Sequence, residues 1–327
     1  MPLPDTTMES SSHLLVPYAA ASDPQCRALL PALHLPHLQA LLALLRPDPI
    51  DMGDDQSFAM PHERSLAAMI GLPKAADGAP PWAAAASQEP HIPQAWFTPC
   101  HFQIGMDKVT LQTAEHLGLA DEHSRPLFNA LAPFCAEDGI TLTYESPTRW
   151  HAAGEPLRHL RCASLDRASG RSVADWTAHN AANEAGAQLM KRLQSEAQML
   201  FYTQPVNDQR EAQRLPIVNG FWAHGAGALS ANFQAKPPPD MPQSLRHAAL
   251  RSDWPAWQQA WEQLDASHIR PLLERAKAGH NTTLTLCGER SAQTWRSAPA
   301  SGALARVGRY LLNLRGTAPT WQHLDTL

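Results

Sequence analysis

The chain is 327 residues long and carries a formal charge of −5, enough length for a substantial core in two lobes. Its basic residues are scattered, which excludes nucleic acid as the main partner, because phosphate binding needs a concentrated basic surface. Five cysteines, Cys26, Cys100, Cys135, Cys162 and Cys287, are odd in number and far apart, which predicts reduced, mostly buried thiols in a cytoplasm instead of a disulfide framework.

The start, MPLPDTTMESSS, has neither a basic n-region nor an apolar h-region, so no secretory signal is expected. Leu14 to Tyr18 reads as a first strand. The longest apolar stretch, Leu29 to Leu45, is broken by Pro31 and Pro36 and is too short to span a bilayer, so no membrane partner is expected. Within it, Leu35 to Leu45 reads as a helix. Asp48, Asp51, Asp54 and Asp55 form a solvated acidic loop, Ser65 to Ile70 ends a helix at Gly71, and Asp77 to Trp82 is a turn-rich connection. Trp96 to Leu111 is irregular or β-rich.

A helix over Ser124 to Ala136 follows, with Leu127, Leu131 and Phe134 at helical spacing and Asp138-Gly139 as its stop. Ile140 to Tyr144 alternates like a strand, and Leu160 to Leu165 and Arg171 to Trp176 read as two strands around a turn. Arg158, Arg161, Arg167 and Arg171 then suit either a solvated β-ribbon or a phosphate site. The longest helix covers Glu184 to Tyr202, turns Leu189, Leu193, Met199 and Leu200 inward, and is closed by Pro205. Near the end, Asp253 caps a helix with Pro255 in its first turn, whose Trp254, Trp257 and Trp261 read as core. Thr282 to Cys287 is a strand ending at Gly288, and Leu304, Val307, Leu311 and Leu314 mark a last helix. The alternation predicts α/β with an inserted β-rich lobe.

The densest chemistry lies in QPVNDQREAQRLPIVNGFWAHGAG, residues 204–227. The run Ile217 to Trp222 is apolar enough for a buried strand, ending at Gly225 and Gly227, where backbone can approach a ligand. Asn207, Asp208, Arg210 and Asn219 lie just before and within it. Arg beside amide side chains can hold an anion by charge-assisted hydrogen bonds; equally, Asn207 and Asp208 suit an Asx turn and Arg210 a surface charge. Arg149 and His151, in the run after a strand, form a polar cluster with Glu145 or merely cap a turn. Arg290, in Cys287-Gly288-Glu289-Arg290, faces the ligand crevice if its strand is parallel, or else pairs with Glu289. Cys100 and His101 are adjacent on a strand and point to opposite faces, which argues against a catalytic pair. His62-Glu63 lacks the second histidine of a zinc-protease helix, and without a C-x-x-C pair no structural zinc site is expected.

PVN-D-x-R, with Pro216 and Asn219 ahead of FW and G-x-G, resembles the archaeal-type cofactor-independent phosphoglycerate mutases of the alkaline-phosphatase superfamily. More of the chain is similar to a proteobacterial family called regulatory protein RpfE type, through MPHERSLAAMIGLP, WFTPCHFQIGMDKVTL, EDGITLTYESPTRWHAAGEP, RCASLDRASGRSVADW and LTLCGER. The resemblance implies an alkaline-phosphatase-like core sheet flanked by helices, built from residues 1–95 and 216–327, with an α+β lobe inserted at 96–215. It also implies a metal-binding Asp at the end of the first strand and a later Asp/His-rich segment for two metal ions. The chain departs on both counts, with Val16-Pro17-Tyr18 at the first place and no cluster after Gly227, so no metal and no cofactor is expected. Two functions follow. One is a non-catalytic regulatory protein binding a small anionic metabolite or a protein partner; the other is an active metal-dependent mutase or phosphatase.

Overall fold

The computed structural model describes residues 12–54, 56–74, 79–176, 184–297 and 320–327. The chain forms two compact units, Met1–Asp55 with Pro237–Leu327, and Gln56–Lys236. The continuous unit extends beyond 96–215 on both sides. Helix Pro61–Ile70 and the segment around Leu229 share an apolar cluster, and the strand holding Gly220 pairs with the strand holding Gln94, so both flanks belong to the insert. The strands are β1 (His13–Val16), β2 (Arg46–Pro47), β3 (Asp51–Met52), β4 (Gln94–Ile104), β5 (Val109–Gln112), β6 (Thr141–Ser146), β7 (Arg149–Ala153), β8 (Gly220–Gly227), β9 (Thr283–Cys287) and β10 (Ser291–Arg296).

In the first unit β1 runs parallel to β9, β9 turns back into antiparallel β10, and β2 and β3 pair with β10. Leu14, Leu15 and Val16 are all buried, as expected for a strand covered on both faces. Helix Pro36–Leu44 has Leu35 at its N-cap and no side-chain cap of its own. Its orphan N–H groups are satisfied from afar: Asp265 accepts from Leu38 N at 2.8 Å, His37 N at 3.2 Å and His37 Nδ1 at 2.7 Å. Asp265 opens a π-helical turn, Asp265–Ile269, directly after helix Trp254–Leu264. That helix is capped by Asp253, which accepts from Ala256 N, and its three tryptophans are core in edge-to-face contact.

The second unit is an antiparallel sheet with β4 as its hub, pairing with β5, β7 and β8, while β6 and β7 form a hairpin. Strand alternation splits β4 between two cores. Ala95 and Phe97 join Trp150, Phe221 and the inward residues of helices Asp121–Glu137 and Glu184–Tyr202. Cys100 and Phe102 join Trp222, Ala163, Ala168 and Trp176. Trp222 is 2 % exposed and donates Nε1–H to Ala163 O.

Several expectations are corrected. Leu160 to Leu165 and Arg171 to Trp176 are not strands; Ser164 Oγ accepts from Arg167 N and closes the helical turn Leu165–Ala168, the local competition with sheet that serine offers. Arg167 is therefore buried, not part of a solvated ribbon. Pro205 opens helix Pro205–Ala212 instead of merely ending the preceding one, since a first-turn proline forfeits no hydrogen bond. Phe134 and Met199 face solvent, because Leu127, Leu131 and Cys135 carry the first stripe and Met190, Leu193, Ala197 and Phe201 the second. β8 runs from Gly220 to Gly227, so Ile217 to Asn219 precede the strand, Gly225 lies inside it and Gly227 ends it. Asp55, the start of the connection at Asp77, and the helix marked by Leu304 to Leu314 lie outside the described residues.

All five cysteines are free and buried. Burial pushes the thiols of Cys26 up to about 11 and of Cys135 and Cys162 up to about 12, which keeps them protonated and inert. No helix among the described residues is long and apolar enough to cross a membrane.

Candidate functional site

Residues 204–227 clasp the chain's own backbone. Asn207, on helix Pro205–Ala212, donates to Phe201 O and Val218 O and accepts from Val218 N. Arg210, one turn on and fully buried, donates from Nε to Pro216 O at 2.8 Å and from Nη2 to Leu117 O at 2.6 Å, and its Nη1 lies 3.0 Å from His123 Nδ1. Burial lowers the pKa of its guanidinium, and its bonds to Leu117 O and the His123 ring are themselves buried. Asp208 is exposed in the first turn of that helix, where its charge suits the helix dipole.

Asn219 extends the sheet with its side chain: Oδ1 accepts from Phe102 N at 2.7 Å and Nδ2 donates to Phe102 O at 3.0 Å. These contacts fall one residue before β8 begins. The left-handed Gly225, with φ +62, admits Trp82 and Trp96, since a Cβ there would stand 3.2 Å from Trp82 Cβ. Gly227 packs in the same way on Pro81. Both glycines thus serve close packing of chain on chain, not an open crevice.

Arg149 and His151 lie on β7 of a tight hairpin. Arg149 pairs with Glu145 at 2.6 Å and covers the Trp96 ring, and His151 Nε2 is 2.7 Å from Gln94 Oε1. They decorate the sheet. Cys100 is in the core, while His101 Nδ1 meets Ile217 O, the opposite-face arrangement expected from strand alternation.

A buried polar cluster escaped the sequence reading. His62 Nε2 lies 3.3 Å from Asp166 Oδ2. Glu63 accepts from Met60 N at 2.7 Å, and burial raises its carboxyl pKa against the opposing pull of His62. Arg64 and Arg167 both donate to Ala59 O, and Arg167 stacks over Trp176. The signal was present in two charge-dense runs, His62-Glu63-Arg64 after a proline and Asp166-Arg167 after a capping serine. The cluster ties residues 59–64 to 164–167.

Arg290 alone of the nine candidates belongs to the first unit, and there it lines a crevice. Beyond Val16 the chain turns through Tyr18, whose φ is 53, and Ala19 N bonds Cys287 O at 2.7 Å. Trp257 and Trp261 brace this turn by donating to Tyr18 O and Ala19 O. The carboxyl ends of parallel β1 and β9 are thereby held side by side, the place where α/β sheets receive ligands. The crevice measures about 180 Å³, and its charged lining is Arg27, Glu289, Arg290 and Asp325. Glu289 is engaged, accepting from Ser22 N at 2.9 Å and from Ser22 Oγ.

The residues do not fit a two-metal centre. Tyr18, Ala19, Ala20 and Ala21 occupy the turn after β1, and among the described residues no group of three or more His, Cys, Asp or Glu side chains could hold an ion.

No family model matches the chain, and no curated protein matches it. Among solved structures it is similar to a cofactor-independent phosphoglycerate mutase from Thermoplasma acidophilum DSM 1728, at 14 % identity and a TM-score of 0.37, over 97 % of this chain and 99 % of that one. It is also similar to the PH0037 protein from Pyrococcus horikoshii, at 10 % identity and a TM-score of 0.38, over 90 % of this chain and 89 % of that one. At that depth of likeness, function has to be argued from this chain's own residues.

Proposed function

We propose that the chain is a non-catalytic regulatory protein, phosphoglycerate-mutase-like in the residues noted above, that binds a small anion at the crevice beside β1 and β9. The observation that carries the reading is that Arg27, on helix Pro24–Leu29, and Arg290, just after β9, line one crevice whose first turn offers no metal-binding carboxylate. Arginine suits a phosphate or carboxylate because its fork of donors matches those oxygens. The buried alanines beside it supply neither a nucleophile nor a base. Free buried thiols support a reducing compartment, so the cytoplasm is part of the same proposal.

Calorimetric titration with inorganic phosphate and with 3-phosphoglycerate tests it. Wild type should bind phosphate, and Arg290→Ala or Arg27→Ala should each weaken binding about tenfold, the scale of one charge-assisted hydrogen bond. Absence of binding at millimolar phosphate ends the anion reading. Turnover of 3-phosphoglycerate that needs added manganese and stops with chelator restores the metalloenzyme instead.

A further inference from the structure

The crevice is already partly filled by the chain itself. Helix Thr320–Asp325 and the two residues after it form one of its walls. Ser291, 1 % exposed at the start of β10, fixes this segment: its Oγ donates to Leu327 O at 2.9 Å and Thr326 O at 3.3 Å, and its N–H donates to Leu327 O at 3.3 Å. Leu324 is fully buried, and His323 meets the edge of Trp295 at 6.0 Å. Gly288 makes room, because a Cβ there would stand 2.6 Å from the Leu327 carbonyl. Asp325 brings a carboxylate into the crevice that holds Arg27 and Arg290, so the segment carries the kind of charge the arginines would otherwise attract.

Size completes the argument. With the segment seated, about 180 Å³ remains, well under the ~300–1,000 Å³ usual for organic ligands. Inorganic phosphate takes up a small part of that space, whereas a phosphorylated metabolite has to fill most of it beside Asp325.

We infer that Thr320–Leu327 is an autoinhibitory strap that competes with organic anions for the crevice between Arg27 and Arg290. The inference rests on the anion reading above. It makes the crevice a gated site: phosphate enters with the strap in place, and a larger anion enters only as the strap leaves.

Two variants open the site by different means, a chain lacking residues 320–327 and the full-length Gly288→Ala, whose added methyl collides with the strap. Titrations use inorganic phosphate and 3-phosphoglycerate on each, alongside wild type, with circular dichroism to establish folding. The expected result is 3-phosphoglycerate binding at least tenfold tighter in both variants, with a smaller gain for inorganic phosphate, which already enters with the strap in place. A synthetic peptide TWQHLDTL, added to the shortened chain, should restore the weaker affinity. Equal 3-phosphoglycerate affinity in wild type and a folded variant overturns the strap and leaves the anion reading intact. No phosphate binding by any of the three removes the anion reading, and the strap's competition with it.

Discussion

At the scale of single residues, the same side-chain chemistry serves opposite ends according to burial. Arg210 was the natural anion ligand in the sequence, and the fold spends its guanidinium on Leu117 O, Pro216 O and His123. Arg210→Ala leaves the Leu117 carbonyl and the His123 ring nitrogen buried and unmet, at about 1–3 kcal/mol each, so the variant should lose about 2–5 kcal/mol in chemical denaturation. Phosphate affinity of the folded variant should equal wild type; a parallel loss of affinity would restore the site at residues 204–227. His13 offers a pH-dependent case. Burial, aided by the nearby charge of Arg296, lowers its pKa from 6.5 to about 4, and its Nε2 meets Thr285 Oγ1. A depressed folded pKa means the unfolded chain takes the proton first, so stability is complete above about pH 6.5 and falls as pH drops toward 4. The part-exposed ring discounts the shift to about 2 kcal/mol. Denaturation midpoints between pH 7 and 4 should therefore show a slope that His13→Gln reduces, and an unchanged slope refutes the assignment.

At the scale of elements, periodicity was legible and long-range satisfaction was not. Glu184 to Tyr202 and the tryptophan helix with its Asp253 cap could be read directly, because helical spacing and a first-turn proline are local signals. Asp166 was misread as part of a turn between strands because one serine hydroxyl, Ser164 Oγ, decides for a helical turn. Pro205 was misread as a terminator because the same residue type ends one helix and begins the next. The anion candidates at residues 204–227 were misplaced for a related reason: amides and arginine that bind anions also bind carbonyls, and only the fold says which is nearer. Arg290 follows β9, which pairs in parallel with β1, the condition set in the sequence for it to face a crevice. The cap of helix Pro36–Leu44 was invisible, because its acceptor, Asp265, is distant in sequence. Asp265→Ala removes acceptors for Leu38 N, His37 N and the His37 ring; it should cost about 2–4 kcal/mol, combining a lost cap with unmet buried donors. A melting temperature within one degree of wild type, read by calorimetry, contradicts that role.

At the scale of the whole molecule, the two units differ in how their chain is gathered. Gln56–Lys236 is continuous, and its sheet is joined entirely by antiparallel pairs around β4. It encloses its own core from Ala95 and Phe97 to Phe201 and Phe221, which is what a segment needs in order to fold alone. The other unit draws on both ends of the chain: β1 is completed by β9, and helix Pro36–Leu44 by Asp265. Bringing those pieces together costs loop-closure entropy that no local contact offsets. Residues 56–236 expressed alone should therefore unfold in one cooperative thermal transition, with an enthalpy near the ~0.7 kcal/mol per residue of a native domain. Residues 1–55 and 237–327, prepared as separate peptides, should show no such transition. A non-cooperative melt of 56–236, or a cooperative one for 237–327 alone, would show that the division into units does not follow the chain's folding.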